Sequence, residues 1–171
     1  ALFLSRAVTL WLIELANAVA AFWAAVSIVF YVFIYTLWLK RSSVQNIVIG
    51  GIAGATPPLV GWAAAAGDAV SISNPFDLGG FLPWLMFTLI FLWTPPHFWA
   101  LALYRSEQYK EAGIPMMPWV HGPQRTMIEM RVYALLLIGI AAMPWFNPAE
   151  VGAPAAYVYL SLTHIGRCRP R

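Results

Sequence analysis

Long apolar stretches separated by short polar links run through the chain. Four are long enough to cross a membrane, since a helix needs about 20 mainly apolar residues to span the hydrocarbon core. They cover residues 18–39, 47–66 and 81–103, and a stretch from Met127 or Arg131 to Phe146. Two shorter apolar runs, 2–16 and 151–165, are predicted to be short or truncated spans. The pattern therefore predicts five or six transmembrane helices.

Composition narrows the fold class to one. Hydrophobic residues make up 61% of the chain and charged residues 10%, whereas soluble domains carry about 25% charged residues. The apolar stretches lack the period-two alternation of barrel strands, and a backbone in lipid must satisfy its own hydrogen bonds. We expect an all-α, polytopic bundle in the lipid bilayer, a single transmembrane domain over residues 1–171, and no nucleic-acid partner. The single cysteine, Cys168, excludes an internal disulfide.

The Lys and Arg residues occur in every second link between the predicted spans and are absent from the links between those. When the links are counted along the predicted spans, all ten Lys and Arg residues fall on one side, at Arg6, in 40–41, in 105–131 and in the tail 167–171. The links at Asn17, 67–80 and 147–150 contain none. By the positive-inside rule, the basic side is predicted to face the cytoplasm.

Two Thr-Pro-Pro triplets, 56–58 and 94–96, fall inside consecutive spans. Proline removes a backbone donor, and broken backbone at membrane depth is tolerated where it faces protein or a cavity. The triplets predict two broken helices that line a common pocket. The alternative is a pair of structural kinks with no ligand.

His97 follows the second triplet and shares a helical face with Tyr104. An ionisable side chain inside a span is a functional hypothesis, and the alternative is a neutral histidine bonded to a neighbouring helix. His121 lies near a loop and His164 near the terminus, and both are interpreted as solvated or structural. His164 and Cys168 are too few ligands for a metal site.

Two links on the basic side combine charges of both signs. One contains Lys40, Arg41 and Asn46, and the other is the charged loop 104–126, which contains Arg105, Glu107, Gln108, Tyr109, Lys110 and Glu111. Carboxylates that hold Mg²⁺ and basic groups that neutralise phosphate suit a metal-bound diphosphate. Ordinary positive-inside anchoring is the alternative.

Two blocks make the pattern specific. They are YTLWLKRSSVQNIVIGGIAGATPPLVGWAA, residues 35–64, and FLWTPPHFWALALYRSEQYKEAGIPMMP, residues 91–118. Together they resemble the protohaem IX farnesyltransferases, or haem O synthases, of the intramembrane prenyltransferase superfamily. The similarity runs from about Phe30 to Tyr133.

The resemblance implies about nine spans, of which this chain holds five or six, with an active site open to the cytoplasm of a bacterial inner membrane. It implies that farnesyl diphosphate, held through Mg²⁺, donates its farnesyl group to a vinyl group of protohaem IX, giving haem O. Haem A synthase is a candidate partner.

The resemblance also implies residue roles. His97, Tyr104 and Tyr109 are candidate catalytic residues, and three roles remain open for His97: axial haem ligand, propionate partner or proton carrier. Glu107 is the candidate Mg²⁺ residue. The candidate diphosphate-binding residues are Lys40, Arg41, Asn46, Arg105 and Lys110, and the candidate aromatic cavity is formed by Trp62, Trp93, Phe98 and Trp99.

The chain departs from the family pattern in two ways. Gln108 stands where the family usually has a second acidic residue, and the family's first aspartate-rich motif has no counterpart here. We expect the chain to be an incomplete domain that is inactive by itself. The alternatives are a haem-handling or transporter-like membrane protein, and a related prenyltransferase acting on a quinone precursor.

Overall fold

The computed structural model describes residues 2–146, which form helices joined by short links. The eight α-helices are α1 Leu2–Leu15, α2 Ala18–Val29, α3 Lys40–Ser42, α4 Asn46–Ala55, α5 Pro57–Ala66, α6 Leu82–Tyr104, α7 Ser106–Glu111 and α8 Met117–Phe146. A π-helix, Phe30–Leu39, joins α2 to α3, and a 3₁₀ turn, Gly67–Ala69, follows α5. The predicted all-α class is confirmed.

Within residues 2–146, four helical segments are long and apolar enough to cross a membrane. They are Ala18–Ser42, Asn46–Ala69, Leu82–Tyr104 and Met117–Pro144. These segments confirm the four predicted complete spans. The first apolar run is also helical, but α1 has 14 residues and is about 21 Å long. The predicted short span at 151–165, the link 147–150 and the tail, with His164 and Cys168, lie outside the described residues.

The prediction that residues 104–126 form a loop is wrong, because most of this charged segment is helical. Helix α7 ends in a Schellman motif, in which the amide of Ile114 donates to the carbonyl of Tyr109 and that of Gly113 to Lys110, both at 3.1 Å. Gly113 has a φ of +66°, which a glycine adopts without strain. Helix α8 then begins at Met117 and is interrupted at Gly122, where φ is 82°. The segment is a compact helical corner.

The first Thr-Pro-Pro triplet divides its span as predicted. Helix α4 ends at Ala55 and α5 begins at Pro57, where the missing N–H of proline costs least. The Thr56 hydroxyl donates to the carbonyl of Ala53 at 2.8 Å.

The predicted break at the second triplet is wrong. Pro95 and Pro96 lie inside a continuous α6, which runs from Leu82 to Tyr104. Prolines are tolerated in transmembrane helices when neighbouring helices and hydroxyl side chains support the backbone. Helix α6 packs against α4 and α8, and the Thr94 hydroxyl donates to the carbonyl of Ile90 at 2.7 Å.

Two of the links without basic residues meet at one end of the bundle. The Asn17 amide donates to the carbonyls of Ala63 and Gly67, and the Trp23 indole donates to the carbonyl of Pro75 at 2.9 Å. A buried apolar cluster fills this end, formed by Val19, Ala20, Trp23, Leu59, Ala63, Val70 and Leu78. The predicted grouping of Asn17 with 67–80 is thus confirmed.

The links with the candidate diphosphate residues meet at the opposite end. The buried amide of Asn46 donates to the carbonyl of Pro115 at 3.2 Å, which joins the link after α3 to the corner between α7 and α8.

Arg6 departs from the predicted sorting of charges. It lines a groove beside Ile28, Val29 and Val32, near the middle of the segment Ala18–Ser42. Arg6 precedes Asn17 by 11 residues, which at about 1.5 Å per residue carries it only some 16 Å along the bundle. Helix α1 is therefore too short to bring Arg6 to the basic end.

Candidate functional site

A cavity of about 650 Å³ lies between the first, second and third candidate spans, within the usual size range of ligand sites. We call it the central cavity. Its lining residues are Ser27, Ile28, Tyr31, Val32, Tyr35, Ile47, Gly50, Gly51, Ala53, Gly54, Ile90, Trp93, Thr94 and Phe98. Most are apolar, and the hydroxyls of Ser27 and Thr94 already donate to backbone carbonyls. The cavity thus offers a mainly hydrocarbon and aromatic surface.

The π-helix forms one wall and contributes two tyrosines. The Tyr31 and Tyr35 rings both line the cavity with their centroids 5.3 Å apart. The Thr36 hydroxyl donates to the carbonyl of Tyr31 at 2.9 Å, five residues back, as the wider π turn allows. π-Helical turns are rare and often occur at functional sites. Neither tyrosine was predicted from the sequence as a site residue, and the signals for them were a spacing of four within an apolar span and the position of Tyr35 at the start of the block 35–64.

Helix α4 forms a second wall made largely of glycine. Ile47, Gly50, Gly51 and Gly54 follow the i, i+3, i+4, i+7 spacing of one helical face and all line the cavity. A Cβ atom at Gly50 would collide with the Tyr35 ring, so this close approach of the ring depends on the glycine.

Helix α6 forms the third wall, with the candidate catalytic histidine beside it. Trp93 and Phe98 line the cavity. The exposed His97 ring stacks on Trp93, with centroids 4.2 Å apart and 19° between the planes. It meets Phe98 edge-on at 5.4 Å. His97 thus lies next to the cavity wall, in contact with two of its aromatic rings.

The structure separates the four predicted cavity aromatics. Trp99 is buried and meets Tyr133 of α8 edge-on at 5.6 Å. It faces away because successive helical residues differ by about 100° around the axis. Trp62 lies at the far end, where its indole donates to the carbonyl of Leu78 at 2.9 Å. Of the four predicted aromatic residues, Trp93 and Phe98 line the central cavity, whereas Trp62 and Trp99 do not.

The turn from α6 into α7 forms a polar pocket of about 610 Å³, which we call the polar corner. It is lined by Tyr104, Arg105, Ser106, Glu107 and Gln108. The corner brings together three predicted site residues: Tyr104, Arg105 and Glu107. Lys110 is exposed one turn further along α7.

Tyr109 and Asn46 are held within the protein. Tyr109 packs against a buried cluster of Ile47, Ala102 and Met116. The Asn46 side chain is 1% exposed, and its amide nitrogen donates to the carbonyls of Lys40 and Pro115 at 3.3 and 3.2 Å. In this arrangement Asn46 ties together the two links that carry the candidate diphosphate residues.

Lys40 and Arg41 follow the π-helix directly. Lys40 is partly buried, whereas Arg41 is exposed. Because Asn46 bonds to the backbone of Lys40 and to that of Pro115, these basic residues belong to the same end of the bundle as the polar corner.

Among the described residues, the polar corner has a single carboxylate, Glu107, which suits a metal that is shared with a substrate. Within residues 2–146 no group of three or more His, Cys, Asp or Glu side chains is close enough to hold a metal ion. Mg²⁺ in phosphate-binding sites takes only one or two protein carboxylates and completes its shell with phosphate and water. The exposed Glu107, beside Arg105, fits such a role.

Comparison with known proteins relates the chain to membrane prenyltransferases. The UbiA prenyltransferase family matches residues 1–167. A Protoheme IX farnesyltransferase of Beijerinckia indica is 57% identical over 130 residues, which cover 76% of this chain and 37% of that protein. A Protoheme IX farnesyltransferase of Rhodopseudomonas palustris (strain BisB5) is 52% identical over 132 residues, covering 77% of this chain and 39% of that protein.

A third relative agrees. The Protoheme IX farnesyltransferase of Bradyrhizobium sp. (strain BTAi1) is 54% identical over 131 residues, covering 77% of this chain and 39% of the relative. The matched part of the chain thus spans well under half the length of each of these relatives. No solved structure matches the chain. The family match over nearly the whole sequence, together with the helical membrane fold, establishes that this chain belongs to the UbiA prenyltransferase family.

Proposed function

We propose that the full-length protein transfers a farnesyl group from farnesyl diphosphate to a vinyl group of protohaem IX and so forms haem O. The observation that carries the proposal is the position of an aromatic, apolar cavity beside a polar corner on the same helix. The names of the relatives at 52–57% identity support the choice of substrates.

Helix α6 connects the central cavity to the polar corner. Phe98 lines the central cavity and Arg105 lines the polar corner. Seven residues separate them, or about 10 Å along the helix. This distance suits an amphiphile with a charged head and a hydrocarbon tail, because the head can bind at the corner while the tail enters the cavity.

The basic residues serve the departure of diphosphate. The bond between C1 of the farnesyl group and the diphosphate oxygen breaks, and its electron pair leaves with the diphosphate. Arg105, Lys110, Lys40 and Arg41 stabilise the charge that develops there, since preorganised donors favour the transition state. Mg²⁺, held in part by Glu107, would supply further neutralisation of the diphosphate when bound.

The aromatic walls serve the allylic cation. Tyr31, Tyr35 and Trp93 offer ring faces, to which cations are attracted, and the apolar lining excludes water until the cation has reacted. The π electrons of the vinyl group form the new carbon–carbon bond. Water then adds to the resulting cation on the porphyrin side and loses a proton, which leaves a hydroxyethylfarnesyl group. His97, at the edge of the cavity, is the candidate to accept that proton.

The setting of the reaction is part of the proposal. The basic end of the bundle faces the cytoplasm, as the positive-inside rule favours, and the membrane is the bacterial inner membrane. Haem A synthase is the proposed partner that receives the product.

The full-length protein is expected to convert protohaem IX and farnesyl diphosphate into haem O when Mg²⁺ is present. The product is measured by chromatography and mass spectrometry, with an increase in mass that equals one farnesyl group plus one hydroxyl group. Reactions without Mg²⁺ or without farnesyl diphosphate serve as controls. Absence of product from folded, membrane-inserted protein would contradict the proposal. Residues 1–171 alone are expected to give no product.

A non-hydrolysable farnesyl diphosphate analogue is expected to protect Lys40 and Lys110 from an amine-modifying reagent. These are the two lysines of the chain, and both belong to the basic end. Bound diphosphate should cover them and lower their modification rates by about 10-fold, as expected for charge-assisted contacts. Mass spectrometry of peptides measures the rates, and farnesol, which lacks the diphosphate, is the control ligand. Equal labelling with both ligands would favour the transporter-like alternative.

A further inference from the structure

Close packing explains some, but not all, of the glycines on the cavity face of α4. At Gly50 a Cβ atom would collide with the Tyr35 ring, and at Gly51 it would lie 3.3 Å from Cγ2 of Thr94. At Gly54 it would meet nothing within 4 Å. Packing among the described residues therefore accounts for the first two glycines and leaves the third unexplained.

Backbone conformation does not explain Gly54 either. The described glycines with positive φ are Gly67, Gly79, Gly113 and Gly122, so Gly54 has a conformation open to any residue. Within a helix a glycine is about 1 kcal/mol less favourable than alanine. Within residues 2–146, Gly54 thus weakens α4 without relieving a contact, and what it provides there is open space on the cavity wall.

Gly54 lies far from the polar corner. It follows Asn46, at the basic end, by eight residues, or about 12 Å along the helix. Next to it, the Ser27 hydroxyl donates to the carbonyl of Ala53 at 3.1 Å and ties α2 to α4. Gly54 therefore borders the end of the cavity that the tail of a bound amphiphile would reach last.

The shape and lining of the cavity favour a linear chain at this end. The α4 wall runs lengthwise from Ile47 to Gly54, and none of the described residues that line the cavity is charged. A porphyrin carries two propionates that need polar partners when buried, whereas a prenyl tail is hydrocarbon throughout.

We propose that Gly54 is a specificity-determining position, at which the missing side chain leaves room for the terminal isoprene unit of the prenyl donor. The inference rests on the proposed prenyl transfer and adds the residue that sets the accepted chain length. A side chain at position 54 would project from the same face as Gly50 and shorten the cavity.

The test is Gly54→Leu in the full-length protein, assayed with farnesyl diphosphate and with geranyl diphosphate, which is one isoprene unit shorter. The ratio of kcat/KM for the farnesyl donor to that for the geranyl donor is expected to fall by about 10-fold to 100-fold, the range for steric discrimination in apolar pockets. Gly61→Leu is the matched control, because Gly61 also has open space around its Cβ position but does not line the cavity. Its ratio should stay at the wild-type value.

Gly54→Ala extends the test if the leucine variant does not fold, and its ratio is expected to move in the same direction by a smaller factor. An unchanged ratio in a folded variant would overturn the role of Gly54. The role of Gly54 would also be overturned if the variant changed only the preference for protohaem over other porphyrins and left the ratio for the two prenyl donors unchanged. If the wild-type protein transfers neither prenyl group, the proposed function itself fails, and that outcome is separate from an unchanged ratio in an active enzyme.

Discussion

Arg105→Ala in the full-length protein is expected to lower kcat/KM for farnesyl diphosphate by about 100-fold, the scale for loss of one charge-stabilising donor. Arg105 directly follows the third candidate span, Leu82–Tyr104, and lines the polar corner. Its guanidinium offers several donors in a planar fork that matches phosphate oxygens. Steady-state rates of haem O formation over a range of farnesyl diphosphate concentrations measure the effect.

Arg125→Ala is the matched control for this prediction. Arg125 is also an exposed arginine of the described region, but it pairs with Glu129 on α8 at 2.7 Å and does not line the polar corner. Its replacement should change kcat/KM by less than about 3-fold, as for most surface ion pairs. Arg105→Lys, which keeps the charge but loses the fork, should recover part of the loss. If Arg105→Ala and Arg125→Ala are equally active, Arg105 does not bind the diphosphate.

His97→Phe is expected to lower kcat by about 100-fold, near the lower end of the usual contribution of a proton-transferring side chain. Phenylalanine keeps an aromatic ring to stack on Trp93 but cannot accept a proton. His97→Ala removes both the imidazole and the stacking, and should be at least as impaired. Single-turnover rates of haem O formation separate this effect from substrate binding.

The matched control for His97 is a comparison of folding and insertion. The histidine side chain is exposed and makes ring contacts with Trp93 and Phe98, so His97→Phe should insert and melt like the wild type. If His97→Phe has wild-type turnover and His97→Ala is impaired, the role of His97 is to pack against the neighbouring rings and not to transfer a proton. Wild-type turnover in both variants would remove His97 from the candidate catalytic residues.

The candidate site was only partly predictable from the sequence. The Thr-Pro-Pro-His block led to His97, Trp93 and Phe98, which do lie together at the cavity. It also predicted a broken helix, whereas α6 continues through Pro95 and Pro96 because packing on both sides supports it. The sequence shows that two prolines remove backbone donors from this helix. It does not show that the neighbouring helices α4 and α8 support the helix at that point.

The sorting of charges also had a limit. Within residues 2–146 it grouped the links of the complete spans correctly, because each span is long enough to carry the chain from one end of the bundle to the other. It failed at Arg6, because α1 is too short to reach the basic end.

The sequence by itself determined the membrane class, the four complete spans and the grouping of the links within residues 2–146, since apolar length and charge placement are local properties of the chain. Only the tertiary structure decided which side chains share the cavity. The contact of Trp99 with Tyr133, the approach of Tyr35 to Gly50 and the open space at Gly54 depend on how the helices are rotated and packed. Those contacts join residues that are distant in the chain, so no local pattern encodes them.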